Sequence, residues 1–192
     1  MSRMLVKRSN PQGLVVELDV LKAALRVSGD ADDARLTHLV RAEMARYEDF
    51  TGRVMQPTDF SIALDGWLFP ARLPVLPLRE VTAITYLDAE HVEQTYDAAS
   101  WYVTESAPFW SVGLDRDAGL PALSDRPAPV RVDFSAGYDL PLGGGDEVSL
   151  LAPRADDQNA IIHMIGVAYD QGTPMDVGEM RKVFGNRRVA GW

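Results

Sequence analysis

Leu36, Leu39, Val40, Met44, Tyr47, Phe50 and Val54 follow one another at steps of three and four, and Arg35, Arg41, Glu43, Arg46, Glu48 and Asp49 occupy positions between them. That period predicts an amphipathic helix over residues 31–56. Asp30 is its expected cap, Asp32 and Asp33 suit the positive end of the helix dipole, and Pro57 stops it. About 25 residues rising 1.5 Å each make a rod of roughly 37 Å. A shorter helix over 19–27 is expected before it, capped by Asp19 and carrying Leu21, Ala24, Leu25 and Val27 on one face. Ser28-Gly29-Asp30 breaks that helix.

From residue 58 the apolar period falls from 3.6 to 2. Phe60, Ile62 and Leu64 alternate with Ser61, Ala63 and Asp65, the pattern of a half-buried strand. Pro70, Pro74 and Pro77 exclude helix and predict an extended connection. Strands are expected again over 81–87, over 100–103, and through Val130, Val132 and Phe134 up to Gly137. Residues 105–129, with Pro108, Pro121, Pro127 and Pro129, read as a long irregular loop. Residues 139–149, with Gly143-Gly144-Gly145, read as a flexible link. A last helix over 153–171 has Pro153 at its first position, Asp156 and Asp157 in its first turn, and Ala160, Ile161, Met164, Ile165, Ala168 and Tyr169 on its apolar face. Gly172 and Pro174 end it.

The expected architecture is α+β: a small helical bundle of two N-terminal helices and one C-terminal helix, with an antiparallel β-subdomain inserted at 58–138. Tyr47 and Phe50 are expected to close the bundle against Ile161, Ile165 and Tyr169. One domain then spans residues 17–172, with an extended N-terminal arm at 1–16 and a C-terminal arm at 173–192. No internal repeat is visible.

Charge sharpens this division. The net charge is −9, yet residues 1–16 and 181–192 carry only basic side chains, three and four respectively. The segment between holds 12 basic against 28 acidic residues, a net −16. Such a body repels a phosphate backbone, so specific nucleic-acid binding is not expected except through the ends. No apolar run approaches the roughly 20 residues that span a bilayer. The basic N-terminus has no apolar stretch behind it and is not a secretory signal.

Candidate chemistry is sparse. There is no Cys, which removes disulfides, thiolate metal sites and thiol nucleophiles. His38, His91 and His163 lack zinc-ligand spacing, and His163, between Ile162 and Met164, reads as a helix-packing residue. Asp115-Arg116-Asp117-Ala118-Gly119 lacks the offsets of a calcium loop. The Gly143–Gly145 run is followed by Asp146 and Glu147, which would repel a phosphate, and not by the Lys-Ser/Thr of a phosphate loop. Carboxylates abound, but spacing singles out no acid/base pair. No catalytic residue, cofactor or metal site is predicted, and the chain is expected not to be an enzyme; a carboxylate-based hydrolase is the alternative from another class.

Four segments in order carry a resemblance. They are Leu21-Lys22-Ala23-Ala24-Leu25-Arg26-Val27 with the acidic turn Asp30–Asp33 and the helix end Tyr47-Glu48-Asp49-Phe50-Thr51-Gly52-Arg53; then Leu73-Pro74-Val75 through Val81–Asp88; then Val130–Tyr138; and finally Asn159–Tyr169. Together, over residues 18–171, they resemble head–tail connector (adaptor) proteins of long-tailed phages, and the acidic, Arg-rich composition resembles the adaptor of an alphaproteobacterial gene transfer agent. Two departures stand out: the last helix ends Tyr169-Asp170-Gln171-Gly172 where a Tyr-Glu-x-Arg-like turn is usual, and the tail is longer and more basic.

The resemblance implies a structural ring subunit, typically one of twelve, docked on the portal protein. It would extend the DNA channel, let DNA pass without specific binding, and meet a stopper or tail-terminator protein. It implies a virion protein of the head–tail junction, assembled in the bacterial cytoplasm, with no membrane partner. Other neck components are the nearest alternative, although these are expected to be largely β. Residues 173–192 show no period that would bury their own apolar side chains, so they are expected to form the portal-binding arm. Met180, Val183, Phe184 and Trp192 would be its anchors, and Arg181, Lys182, Arg187 and Arg188 its charges.

Overall fold

Three chain passages, between residues 10 and 11, 57 and 58, and 136 and 137, divide the molecule into two units. The computed structural model describes residues 3–11, 13–106, 109–139, 151 and 153–188; the Gly143–Gly145 link and Trp192 lie outside the described residues. One unit joins the chain up to Asn10 with Thr58–Ala136, and the other joins Pro11–Pro57 with the chain from Gly137 onward. The α+β class and the insertion of antiparallel strands between helices are as expected.

The β unit holds a five-stranded antiparallel sheet in the order β1-β2-β8-β4-β5 and a three-stranded sheet in the order β3-β7-β6. In chain order the strands are β1 (Arg3–Lys7), β2 (Thr58–Leu64), β3 (Ala71–Leu73), β4 (Leu78–Leu87), β5 (Glu93–Thr95), β6 (Trp101–Ser106), β7 (Phe109–Leu114) and β8 (Val130–Ala136). Period-two alternation decides which face is inward. Phe60, Ile62 and Leu64 of β2 lie opposite Phe134, Val132 and Val130 of β8, and all six are buried. The Phe60 and Phe134 rings stack at 5.6 Å. On the other face, Arg8 Nε donates to Ser61 Oγ at 2.8 Å, Ser61 Oγ donates to Asp133 Oδ1, and Arg131 Nε donates to Asp133 Oδ2 at 3.0 Å.

Three expectations change in this unit. Residues 3–7, placed in an extended arm, instead form edge strand β1, which pairs antiparallel with β2 and sets Leu5 opposite Ile62. The loop expected at 105–129 contains β7, which pairs with both β3 and β6. Tyr102 of β6 lies across Gly113, its cross-strand partner, so the aromatic ring covers the glycine that weakens the strand signal. Within the Pro-rich connection, Ala71–Leu73 is extended enough to make β3.

The helical unit holds α1 (Leu18–Leu25), α2 (Asp33–Thr51), α3 (Ala155–Gln171) and α4 (Val177–Phe184). α2 is shorter than 31–56 because Gly52 takes a left-handed φ of 72° and its N–H closes on Glu48 O, which ends the helix before Pro57 can. α1 ends likewise at Arg26, φ 57°. Neither helix has a side-chain cap from Asp19 or Asp30, and Pro153 stands ahead of α3 instead of at its first position. Lys22 of α1 reaches Asp33 at 2.8 Å and Asp30 at 3.0 Å. The hydrogen bonds to Asp33 and then Asp30 raise its pKa.

α2 and α3 run antiparallel. Tyr47, near the end of α2, donates its hydroxyl to Asp157 at the start of α3 (2.7 Å), while Tyr169, near the end of α3, donates to Asp32 ahead of α2 (2.8 Å). Leu36, Val40, Met44 and Tyr47 pack in one buried cluster with Ala160, Ile161, Met164 and Ile165. Phe50 departs from expectation. Antiparallel packing carries Tyr169 to the opposite end of α2, beside Arg35, and leaves Phe50 half-buried, facing Arg188.

Candidate functional site

The segment expected to be an unstructured arm contains the helix α4 and, after it, the 3-10 turn Gly185–Arg187. Asp176 caps α4 by accepting from Glu179 N at 2.9 Å, and Glu179 returns the interaction by accepting from Asp176 N at 3.1 Å, a reciprocal capping box. Met180 and Phe184, four residues apart, share one face and are 2% and 3% exposed. Phe184 meets Tyr47 edge to face at 5.9 Å. The expectation that these apolar anchors have no place in the protein's own body is therefore wrong. Eight residues are too few to show a period beyond doubt in sequence, yet one i,i+4 pair suffices to dock a short helix.

The other expected site residues divide by exposure. Arg181 and Lys182 are exposed, and Val183 is 50% exposed. Arg188 donates from Nε to Phe50 O at 3.1 Å, with its guanidinium 5.2 Å from the Phe50 ring centre. Arg187 belongs to the 3-10 turn Gly185–Arg187, though its side chain, like Trp192, lies outside the described set.

Around these residues runs a groove of about 330 Å³ lined by Arg46, Asp49, Phe50, Val177, Met180, Arg181 and Arg188. Sequence reading did not join α2 to this site, because Arg46 and Asp49 read there as an ordinary solvated face. Arg46 is committed within the protein: Nη1 pairs with Glu43 at 2.6 Å, and Nη2 donates to Met175 O. Glu43 is buried, so Arg46 is fixed at the groove wall by an ion pair whose carboxylate has little access to water. Arg181 has no ion pair among the described residues.

Two other places test for chemistry. His91 Nδ1 lies 2.6 Å from Ser124 Oγ, and His91 Nε2 lies 4.0 Å from Asp125. The buried Ser124 hydroxyl also accepts from Arg126 N at 3.1 Å, so these groups hold a loop together without presenting a nucleophile. Among the described residues no group of three His, Asp or Glu side chains could hold a metal, and no helix is long and apolar enough to cross a membrane. His163 is exposed, its ring edge-on to Phe184 at 6.4 Å.

The architecture is that of a helical unit interrupted by an antiparallel β unit. It is shared with chains of known structure over nearly the whole length. A chain from the neck of an empty GTA (gene transfer agent) particle computed with C6 symmetry is similar at TM-score 0.74 and 24% identity, with 98% of each chain covered. A chain from the virion of a native gene transfer agent particle is similar at TM-score 0.72, and one from the neck of a native GTA particle computed with C12 symmetry at 0.66, each at 24% identity and 98% coverage of both chains. No protein-family model and no curated protein matches the sequence.

Proposed function

We propose that this chain is an adaptor of the head–tail connector in a phage-like particle of the gene transfer agent type: a ring subunit that docks on the portal, extends the DNA channel and attaches the tail. The observation that carries this reading is the end-to-end fold match, 98% of both chains, to chains from GTA necks. A match that omits neither the helical nor the β unit favours a common role over reuse of one small motif. The role is structural and not enzymatic, in the virion at the head–tail junction, with assembly in the bacterial cytoplasm.

The charge supports it. A net −16 between residues 17 and 180 suits a surface along which DNA slides without sticking. Necks computed with C6 and C12 symmetry support a ring, with twelve copies the expected number. Its partners are neighbouring copies, the portal, and a stopper or tail terminator; the four helices favour the adaptor position over those largely β components. On α4, the exposed Arg181, Lys182 and Val183 face outward for the portal, while Met180 and Phe184 hold the helix in place. Arg187, Arg188 and Trp192 extend the same portal-binding segment.

Electron microscopy of the purified protein mixed with the portal protein of the same particle tests this. A ring added at the tail-facing end of the portal is the expected image. Unaltered portals at saturating protein would overturn it.

A further inference from the structure

We infer that edge strand β1 of one copy pairs in parallel with edge strand β6 of a second copy, joining neighbouring subunits by main-chain hydrogen bonds. The inference deepens the ring reading and rests on it. The two sheets end in four edge strands, β1 and β5 in one, β3 and β6 in the other. β3 and β5 are three residues long and offer few backbone groups. β1 and β6 have five and six residues, and a strand edge of that length is a template for another strand. Exposed apolar side chains stand on both. Met4 of β1 is 61% exposed, and Tyr102 and Val103 of β6 are 50% and 37% exposed.

Charge decides which edge meets which. Residues 1–16 carry three basic side chains and no acidic one, whereas residues 80–115, which hold β5, β6 and β7, carry seven acidic side chains and no Lys or Arg. A second β1 would bring like charge to β1, and a second β6 like charge to β6. Only β1 on β6 unites opposite signs at the two long edges. Pairing of an edge with its own copy is also two-fold and closes a dimer, while pairing of two different edges is heterologous and closes rings.

The register follows from the side chains. Parallel pairing with Met4 opposite Tyr102 carries Leu5 to Val103, Val6 to Thr104 and Lys7 to Glu105. Period two then sets Met4 beside Tyr102 on one face. On the other face Leu5, which lies opposite Ile62, meets Val103, which lies opposite the buried Val112. Lys7 and Glu105 are both exposed, and Glu105 forms no ion pair among the described residues. The antiparallel register that keeps Leu5 on Val103 separates Lys7 from Glu105 and leaves Met4 against Thr104.

The chain has no Cys, so thiols placed by mutation report contacts cleanly. Full-length Met4→Cys and Tyr102→Cys proteins are mixed, with and without the portal protein, and treated with an oxidant that joins two thiols as a disulfide. Opposed residues on adjacent strands stand about 4.8 Å apart, within disulfide reach. Thr104, two residues further along, would lie about 8 Å from Met4, beyond that reach. The mixed dimer should therefore exceed that from Met4→Cys with Thr104→Cys, or with Val92→Cys beside β5, by about tenfold. Adding Lys7→Glu to the Met4→Cys protein should remove the excess. Adding Glu105→Lys to its Tyr102→Cys partner should restore it, which also shows that both charge variants fold. Equal yields from the three pairs, with and without portal, would overturn the inference. So would a largest yield from the Thr104 or Val92 pair, or an excess indifferent to the charge exchange. Portal binding measured on the unsubstituted protein separates the two readings: binding without the crosslink leaves the adaptor and sinks this contact, and the crosslink without binding does the reverse.

Discussion

Gly137 sits against the backbone of Gln56, so close that an added Cβ would lie 2.5 Å from the Gln56 carbonyl carbon and closer still to its oxygen. Its φ of +121° is itself a conformation that side chains avoid. The two residues flank the points where the chain leaves the helical unit and returns to it, and β2 and β8 begin and end side by side there, Thr58 opposite Ala136. Gly137→Ala must therefore move backbone, and we expect it to cost on the order of 3–5 kcal/mol in urea denaturation. Gly29→Ala is the control. With φ of +76° and nothing within 4 Å, it meets only backbone strain, a cost of about 1 kcal/mol. Equal losses at the two sites would show that the close approach is not what makes Gly137 necessary.

Tyr47→Phe should cost about 1.5–3 kcal/mol, because it removes a hydroxyl donor from a buried carboxylate and leaves the ring in place. Tyr47 is wholly buried, Asp157 is 3% exposed, and they meet at 2.7 Å. Phe50→Ala provides the contrast. Since Phe50 is half-buried, its loss should fall near 1–2 kcal/mol, below the 3–5 kcal/mol of a fully buried aromatic. Denaturant midpoints of the two variants check the order; a larger loss at Phe50 than at Tyr47 would contradict the packing.

The helix and strand periods made the core largely legible in sequence. Leu36, Val40, Met44 and Tyr47 on one helix, Ile161 and Ile165 on another, and Phe60, Ile62, Val132 and Phe134 in strands are all buried as their spacing indicates. What escaped depends on partners distant in sequence. β1 has a single apolar residue, Leu5, on the face of Ile62 and needs β2 beside it to be a strand, and β5 is exposed throughout. Gly52, with Pro57 in view beyond it, did not announce itself as the end of α2. The candidate site was half legible: its charges stand out near the C-terminus, but Phe50 and Arg46 join them only through the fold, Phe50 standing 131 residues before Arg181 in the chain. Composition pointed to an acidic body with basic ends, whereas no count of residues could reveal that the basic segment folds back onto α2.

Acid should weaken the turn that begins at Asp88. Its carboxylate accepts from Gln94 at 2.9 Å and from the N–H of Val92 at 2.8 Å and Glu90 at 3.1 Å, and these hydrogen bonds, that of Gln94 first, hold its pKa below the ordinary 3.8. A folded pKa below the unfolded one gives a contribution that is fully present above 3.8 and is lost as pH falls through the lower folded value. Asp88→Ala should therefore lower the melting temperature at pH 7, and the gap from the unsubstituted protein should narrow once pH drops below 3.8. Thermal melts across that range check it. A gap that stays constant into acid would show that the charge of Asp88 contributes nothing.

α4 offers a separation of folding from attachment that a free arm would not. Met180 and Phe184 are buried against α2 and α3, so Phe184→Ala should cost about 3–5 kcal/mol and Met180→Ala about 2–5 kcal/mol. Deleting residues 177–192 should lower the melting temperature for the same reason, since it uncovers the Tyr47 ring that Phe184 meets at 5.9 Å. The outward face behaves differently. Arg181, Lys182 and Val183 changed together to Ser lose a favourable interaction with the helix C-terminus and little else, under about 1 kcal/mol in total. If that face meets the portal, the triple variant should melt almost as the unsubstituted protein does and yet fail to join the portal, leaving filled heads without tails. The decisive comparison is between the two classes of variant in one assembly assay, with melting measured alongside. Normal attachment by the triple variant would move the portal grip away from α4, and unchanged melting of Phe184→Ala would show that the helix does not dock on the body at all.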